Sequence, residues 1–516
     1  ETNDESLPFE FMFAYSHEIG IPEPERVYTP LTPWQSSSSI QTLLPAGWQL
    51  HEGKLLLKAT IRDSFGSTAN LTTLVSSALR YRTDTHTLIH YAENLISQSI
   101  KSKSQFQILT TATMIAQEIQ IYDEILVTNS KSACPNCSGR GKCNPDQKSC
   151  RCLKKSTLPD CSRSLAEIRK YLEFKNAILS KIYSQYQLLT PNEFTIRHCL
   201  IASRALLTWK HTINNQLAER SLNITMEIIG DLITFDIEVT PEIRALLAGI
   251  ASNLASYLVQ SGPQAGALAS RIQRELPEIS KMIHFFSLKN MLPGENSVYS
   301  QSQFFNAMSI RLTSGAFSKE NHYKFSNPQL PIVSMLSNSL QTQRQAVYDI
   351  QYTVWQVNPF NLSSTESNFV LFDMYEYDTL NRASVKVAPK GIQIYYPKFE
   401  NEKIECRRGC ISRGDSKFLG KLALRCECTT LESLSLWQEL EEIASSLNIE
   451  ALLEYQLEDK YLFYVTPVIS IIGGCLGVLI MFWVLYDCAT AALIEKSLKP
   501  EEMSWSSKMI AIIKVI

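Results

Sequence analysis

The spacing of hydrophobic and polar positions changes several times along the chain before it gives way to an unbroken apolar run. In KLLLKATIRDSFGS, Leu55, Leu57, Ala59 and Ile61 fall on one face of a strand, and residues 63–66 supply the turn that ends it. PFEFMFAY alternates more loosely upstream, and prolines at 22, 24, 30, 33 and 45 punctuate the stretch, so residues 1–75 are expected to form a β-sandwich piece. From residue 70 to about 130 the period lengthens to that of a helix, with Ile115, Ile119, Tyr122 and Leu126 stepping by four, three and four. After a short cysteine-rich interruption the helical period resumes. Ser164 and Glu167 have the spacing of a capping box, and Ile168, Leu172, Leu179, Ile182 and Tyr186 follow. Thr190-Pro191-Asn192-Glu193 and Thr240-Pro241-Glu242 predict two more helix starts with Pro in the first helical position, the second helix running to about Leu258.

From about 285 to 436 the pattern returns to short strands rich in Val, Ile, Tyr and Phe: SQFFNAMSIRLTSGAF, RQAVYDIQYTVWQV, NFVLFDMYEY and ASVKVAPKGIQIYYP. Polar turns separate them, and a second β-sandwich is expected. WQELEEIASSLNIEALLEYQL then reads as an acidic helical stalk over 437–460. Residues 462–485, LFYVTPVISIIGGCLGVLIMFWVL, contain no charge and suffice to cross a bilayer as a helix, which needs about 20 residues. Tyr461, Tyr464, Trp483 and Tyr486 suit its interfaces. Glu454, Glu458 and Asp459 precede it, whereas Lys496, Lys499, Lys508 and Lys514 follow it, which puts the C-terminal side in the cytoplasm. The expected fold class is thus an α+β multidomain ectodomain plus a transmembrane helix: a β-sandwich, a helical layer with a disulfide-rich insert, and a second β-sandwich.

Length and charge narrow the picture less. The 516 residues suit three or four domains, and a net charge of −2 carries no nucleic-acid footprint. A chain opening on Glu1 is expected either to have lost a leader or to be a piece of something longer. The sequons at Asn70, Asn223 and Asn361, with Asn136 besides, all lie on the side expected to be outside. No phosphate-cradling glycine loop, HExxH or GxSxG occurs and the eight histidines are scattered, so neither an enzyme nor a cofactor or metal is expected.

The 13 cysteines change it more. Six lie between 134 and 161 (Cys134, Cys137, Cys143, Cys150, Cys152, Cys161) and four between 406 and 428 (Cys406, Cys410, Cys426, Cys428). Cys475 and Cys488 belong to the apolar run and its inner edge, and Cys199, beside His198 in a helical pattern, reads as a buried free thiol. The CxxC and CxC spacings would also suit zinc. An oxidising compartment, and a segment too short to bury a core of its own, favour two disulfide frameworks.

The first cluster resembles an EGF-like module of the tenascin type, on Cys137-Ser138-Gly139-x-Gly141-x-Cys143, Cys150-x-Cys152 and Asp160-Cys161. That resemblance implies the pairs Cys134–Cys143, Cys137–Cys150 and Cys152–Cys161; no acidic calcium signature precedes Cys134. The second cluster, Cys406, Gly409-Cys410, Cys426-Glu427-Cys428 and Leu431, resembles the GPS motif of a GAIN domain. The resemblance implies Cys406–Cys426 and Cys410–Cys428. Where that family carries a His base and a Thr or Ser nucleophile, this chain has Thr430 and Glu432, so self-cleavage lacks both groups and an uncleaved domain is expected. Leu44-Pro45-Ala46-Gly47 and the turn at 63–66 resemble the end of an REJ module. REJ, GAIN and a span in that order resemble the polycystin-type surface receptors, which continue into a PLAT domain and more spans where only residues 487–516 remain here.

On this reading the domains are 1–75, REJ-like; 76–133 and 164–284, the helical part of a GAIN-like domain; 134–161, EGF-like; 285–436, the GAIN-like sandwich; 437–460, stalk; 461–486, span; and 487–516, cytoplasmic. The resemblance implies adhesion, mechanosensing or anchoring at the plasma or ciliary membrane, with a polycystin-type channel subunit, an extracellular filament or a matrix protein as partner. Adhesion-receptor-like signalling and a single-span structural anchor are the alternatives. Gly473 and Gly477 form a small-residue face for a partner span, against simple tolerance of Gly in membrane helices. Arg413-Gly414-Asp415-Ser416 is an integrin-type context, but chance is the better explanation, because tripeptides recur often and the loop needs a Gly turn anyway.

Overall fold

The computed structural model describes residues 9–428, apart from 21–25, 41, 43, 48–51, 78–84, 131–136, 138–140, 145–148, 153–155, 158–160, 162, 210–211, 262–265, 337–339, 342–345, 361–367, 378–385, 388–390, 398–405, 407–409 and 419–420. It is a mixed α+β structure with several sheets. All described residues fall in one compact unit, Glu1–Glu439. The stalk, the apolar run at 462–485 with Gly473 and Gly477, and residues 487–516 lie outside the described residues, among which no helix is long and apolar enough to cross a membrane.

β1 (Glu10–Ser16), β2 (Thr29–Pro30), β3 (Lys54–Arg62) and β4 (Thr68–Ser76) form one antiparallel sheet in the order β2-β1-β3-β4. The turn between β3 and β4 is built as its composition demands. Asp63 Oδ1 accepts from the backbone of Phe65 and Ser67 at 2.9 and 2.8 Å, and Gly66 sits at φ +87°. Among the described residues the expected β-sandwich piece is this one sheet, and helices lie against part of it. Tyr15 of β1 bonds Gln117, Gln117 Nε2 donates to Thr29 Oγ1 of β2 at 2.9 Å, and Arg204 pairs with Glu18. The alternation in β3 was enough to predict a strand but not what would cover it. The switch to helix also comes later than the period suggests, since β4 runs through Ser76.

The helical layer consists of α1 (Thr85–Lys101), α2 (Gln105–Ser130), α3 (Leu165–Leu188), α4 (Glu193–Leu206), α5 (Asn215–Thr234), α6 (Pro241–Ser261) and α7 (Ala267–Leu288). Ile115, Ile119 and Tyr122 are buried, whereas the side chain of Leu126 lies outside the description. The capping box at the start of α3 is complete: Glu167 N donates to Ser164 Oγ at 3.2 Å and Ser164 N to Glu167 Oε2 at 2.8 Å. α6 opens with Pro241 in the first position, under a Thr240 cap. α4 departs from expectation. Asn192 is its N-cap and Pro191 stands outside the helix, because the Asn192–Thr195 pair satisfies the first turn reciprocally.

Between α2 and α3 lie two small hairpins, β5 (Gly141–Asn144) with β6 (Ser149–Cys152) and β7 (Ser156–Thr157) with β8 (Arg163–Ser164). At the root of this insert sits a buried ionic cluster. Lys175 Nζ donates to Asp123 Oδ2 at 2.8 Å and to Thr212 Oγ1 at 2.9 Å, and Tyr171 OH donates to Asp123 Oδ1 at 2.8 Å. Burial lowers the Lys175 pKa, and burial with the adjacent Asp123 charge raises that of Tyr171.

The last part is a two-sheet sandwich. β9 (Val298–Gln301), β10 (Phe305–Thr313), β14 (Val347–Trp355) and β15 (Phe369–Glu376) form one sheet in the order β15-β14-β10-β9. β11 (Asn321–Tyr323), β12 (Ile332–Met335), β17 (Ile392–Pro397), β18 (Cys410–Phe418) and β19 (Lys421–Cys428) form the other, in the order β11-β12-β17-β19-β18. A short ladder joins β13 (Leu340–Gln341) to β16 (Lys386–Val387). Ile350, Tyr352, Val354 and Phe372 from one sheet share a core with Val333, Ile392, Ile394 and Tyr396 from the other. α7 seals the first sheet through His284, whose Nδ1 and Nε2 lie 2.8 Å from Ser309 Oγ and Thr353 Oγ1. Arg311 pairs with Asp349 through two nitrogens at 2.6 and 2.9 Å, across the β10–β14 ladder.

Candidate functional site

The candidate site is the hairpin that closes the sandwich. β19 is an interior strand, hydrogen-bonded to β17 on one side and β18 on the other. Period two then divides its residues. Cys426 and Cys428 point into the sandwich core and are fully buried, while Arg425 and Glu427 alternate onto the outer face. Cys426 is bonded to Cys406, Cα to Cα 5.6 Å, and Cys428 to Cys410, its direct partner in the β18–β19 register, at 4.2 Å. These are the pairs that the GPS resemblance implies. They span 20 and 18 residues, each worth about 3 kcal/mol by loop-closure reasoning and less than the sum together, because the two loops overlap.

The outer face carries chemistry that the cysteine count does not show. The side chain of Glu427 is 3% exposed and takes Arg413 Nε at 2.7 Å, with Arg425 on its other oxygen. Burial alone would raise the Glu427 carboxyl; the hydrogen bonds and charges of Arg413 and Arg425 outweigh it and leave the pKa below the ordinary value. The signal was present in Arg425-Cys426-Glu427-Cys428, where two polar residues alternate with two core cysteines. Tyr395 stacks on Phe418 beside this group, ring centroids 3.7 Å apart.

The tripeptide Arg413-Gly414-Asp415 lies in β18 at a register shift between Ser412 and Asp415, and Gly414 adopts φ +79°. Its arginine is already committed to Glu427. Thr430 and Glu432 lie outside the described residues.

In the insert, Cys137–Cys150 and Cys152–Cys161 are bonded, spanning 13 and 9 residues. Cys134, and with it the implied bond to Cys143, lies outside the described residues. Cys199 is a buried free thiol whose pKa burial pushes well up, so it has none of the exposure or thiolate character of a nucleophile. Of the sequons, Asn70 is exposed on β4 and Asn223 is exposed on α5, where its Oδ1 accepts from Arg271. Asn361 and Asn136 lie outside the described residues. Among the described residues no group of His, Cys, Asp and Glu is arranged to hold a metal ion.

No family model and no curated protein matches the chain. Among solved structures the chain is similar to the full extracellular region of zebrafish Gpr126/Adgrg6, at 9% identity and a TM-score of 0.33, over 47% of this chain and 35% of that one. The match therefore spans about a third of that chain's length, and a likeness this loose assigns no residue a role.

Proposed function

We propose that the chain is a membrane-anchored surface protein of polycystin-like type whose GAIN/GPS-like ectodomain stays uncleaved and serves adhesion, mechanosensing or the anchoring of extracellular structures. The observation that carries this reading is the doubly bonded hairpin: Cys406–Cys426 and Cys410–Cys428 close the sandwich shortly before a charge-free run at 462–485. A cystine pair in that place supports an oxidising, outside location. Thr430 and Glu432 stand where a cleaving domain needs a base and a hydroxyl nucleophile, so the peptide after the hairpin stays intact and the ectodomain stays attached. The protein is not an enzyme on this reading. Its partners are the membrane and either a polycystin-type channel subunit or an extracellular filament or matrix protein. Placement is at the plasma membrane, including that of the cilium.

The test is the size of the intact protein on denaturing, reducing gels, tagged at both ends and with glycans removed. One full-length band is the expected result. Two fragments parting just beyond Cys428 would overturn the uncleaved reading and favour adhesion-receptor-like signalling by a detachable ectodomain.

A further inference from the structure

β4 is the outer strand of the N-terminal sheet, paired with β3 and with no strand beyond it among the described residues. Its nine residues, TANLTTLVS, contain neither a charge nor a proline, and all are exposed except half-buried Val75. Leu71 and Leu74 stand 71% and 54% exposed. The ladder to β3 runs from Arg62↔Thr68 to Lys54↔Ser76 with no register shift, so no bulge twists the edge away. A long, uncharged and exposed edge is a template for another strand, and natural proteins guard such edges with charge, proline, a bulge or a cover. None of the first three is present. A second β4, antiparallel about Thr72, would meet this one without opposing any like charges, setting Asn70 against Leu74 and Leu71 against Thr73.

What the strand does carry, at its centre, is the sequon Asn70-Leu71-Thr72. Asn70 and Thr72 are both exposed and share one face of the strand. Thr60 Oγ1 donates to Asn70 Oδ1 at 2.8 Å, a bond that uses the amide oxygen and leaves Nδ2 out of it. Asn223, by contrast, lies within a helix and guards no edge.

We propose that Asn70 bears an N-linked glycan that caps the β4 edge against pairing with β4 of a second copy of this chain. In the attachment, Asn70 Nδ2 forms a bond to C1 of the first sugar of a lipid-pyrophosphate-linked oligosaccharide. The C1–O bond to the pyrophosphate breaks, the lipid pyrophosphate leaves, and Nδ2 gives up one proton. The inference rests on the outside placement proposed above.

The experiment expresses the full chain in cells with a glycosylating secretory pathway and purifies it in detergent. Glycopeptide mass spectrometry reads each sequon, and light scattering reads the assembled mass over a concentration series. Asn70 is expected to be occupied. Thr72→Ala, which only removes the sequon, is expected to increase the assembled mass over the parent in a concentration-dependent way. Thr72→Glu also removes the sequon but sets carboxylates face to face across the two copies, while lying opposite Lys58 within its own sheet, and is expected to keep the parent's mass. Three outcomes overturn the proposal: a bare Asn70 while Asn223 or Asn361 is occupied, which spares the outside placement; a Thr72→Ala protein with the parent's mass; or Thr72→Glu associating as strongly as Thr72→Ala, which marks misfolding rather than edge pairing. All sequons bare would sink the outside placement together with the proposal.

Discussion

The two cystine-bearing regions differ in what surrounds their sulfurs. In the insert, Cys137 and Cys161 are themselves the buried cluster, with Cys150 and Cys152 packed against them. In the closing hairpin, Cys426 and Cys428 join a core that already contains Tyr348, Tyr352, Phe372 and Ile394. The same bond therefore substitutes for a core in one place and fixes the register of strands over an existing core in the other. A segment the size of the insert cannot bury enough apolar surface to order itself, whereas the sandwich can.

The largest loss expected from a single substitution is at the buried Lys175–Asp123 pair, between the helices that flank the insert. Lys175→Met leaves Asp123 buried without its cation and is expected to cost about 3–5 kcal/mol in chemical denaturation. The double change Lys175→Met with Asp123→Leu is expected to recover most of that, because no charge is then left unpaired in the interior. A double variant as unstable as the single one would mean that the cluster's shape, not its charge, holds the root.

Next in size is the contrast itself. Cys410→Ser with Cys428→Ser is expected to lower stability by about 3 kcal/mol and to leave the sandwich folded. Cys152→Ser with Cys161→Ser is expected to abolish amide-exchange protection throughout β5 to β8 while α2 and α3 keep theirs. Equal and global losses in both variants would erase the distinction. Of comparable size is Gly47→Ala. An added Cβ would stand 2.2 Å from the Gly53 backbone, which cannot swing aside as a side chain could, and a loss of about 3 kcal/mol is expected in thermal melts.

Acid separates the regions in another way. Burial holds the His17 imidazole down at about 4 and those of His198 and His284 at about 3, against an ordinary value of 6.5. As pH falls below 6.5 the unfolded chain takes up protons that the folded chain refuses. Stability is therefore expected to fall from pH 6.5 down to about 4 on account of His17 and down to about 3 on account of His198 and His284, by up to ~1.4 kcal/mol per pH unit for each. Glu427 acts lower down. Its depressed pKa contributes stability above the ordinary carboxylate value, and that is lost as pH falls through the folded value. His284→Gln is expected to flatten the upper part of the profile, read by denaturant midpoints at successive pH values; an unchanged slope would remove the α7 junction from the account. The smallest effect is Glu167→Ala, which breaks the capping box at the exit of the insert and is expected to cost about 1 kcal/mol.

The sequence made parts of this legible and hid others for physical reasons. The helical face of Ile115, Ile119 and Tyr122 and the capping box at Ser164 are local patterns, and local patterns can be read without neighbours. The hairpin pairing came through resemblance to the GPS motif. Lys175 was invisible, because a lysine in a helix reads as solvated until Asp123, 52 residues away, is brought beside it. Pro191 was misplaced because Asn192 competes for the cap and wins by two reciprocal bonds. In β3 the alternation predicted a strand, but what lies against the sheet is a tertiary fact: α2 meets it at Tyr15 and Thr29, and α4 at β2.

The interior place of β19 has a consequence for pulling. A pull directed along β19 loads a strand flanked on both sides, so both ladders are then in shear and neither can open one bond at a time like a zipper. The load also has a covalent bypass, crossing from Cys428 directly to Cys410 before any hydrogen bond must break. Under tension the sandwich would thus yield first at some other seam, and a reducing agent would move the weak point to the hairpin.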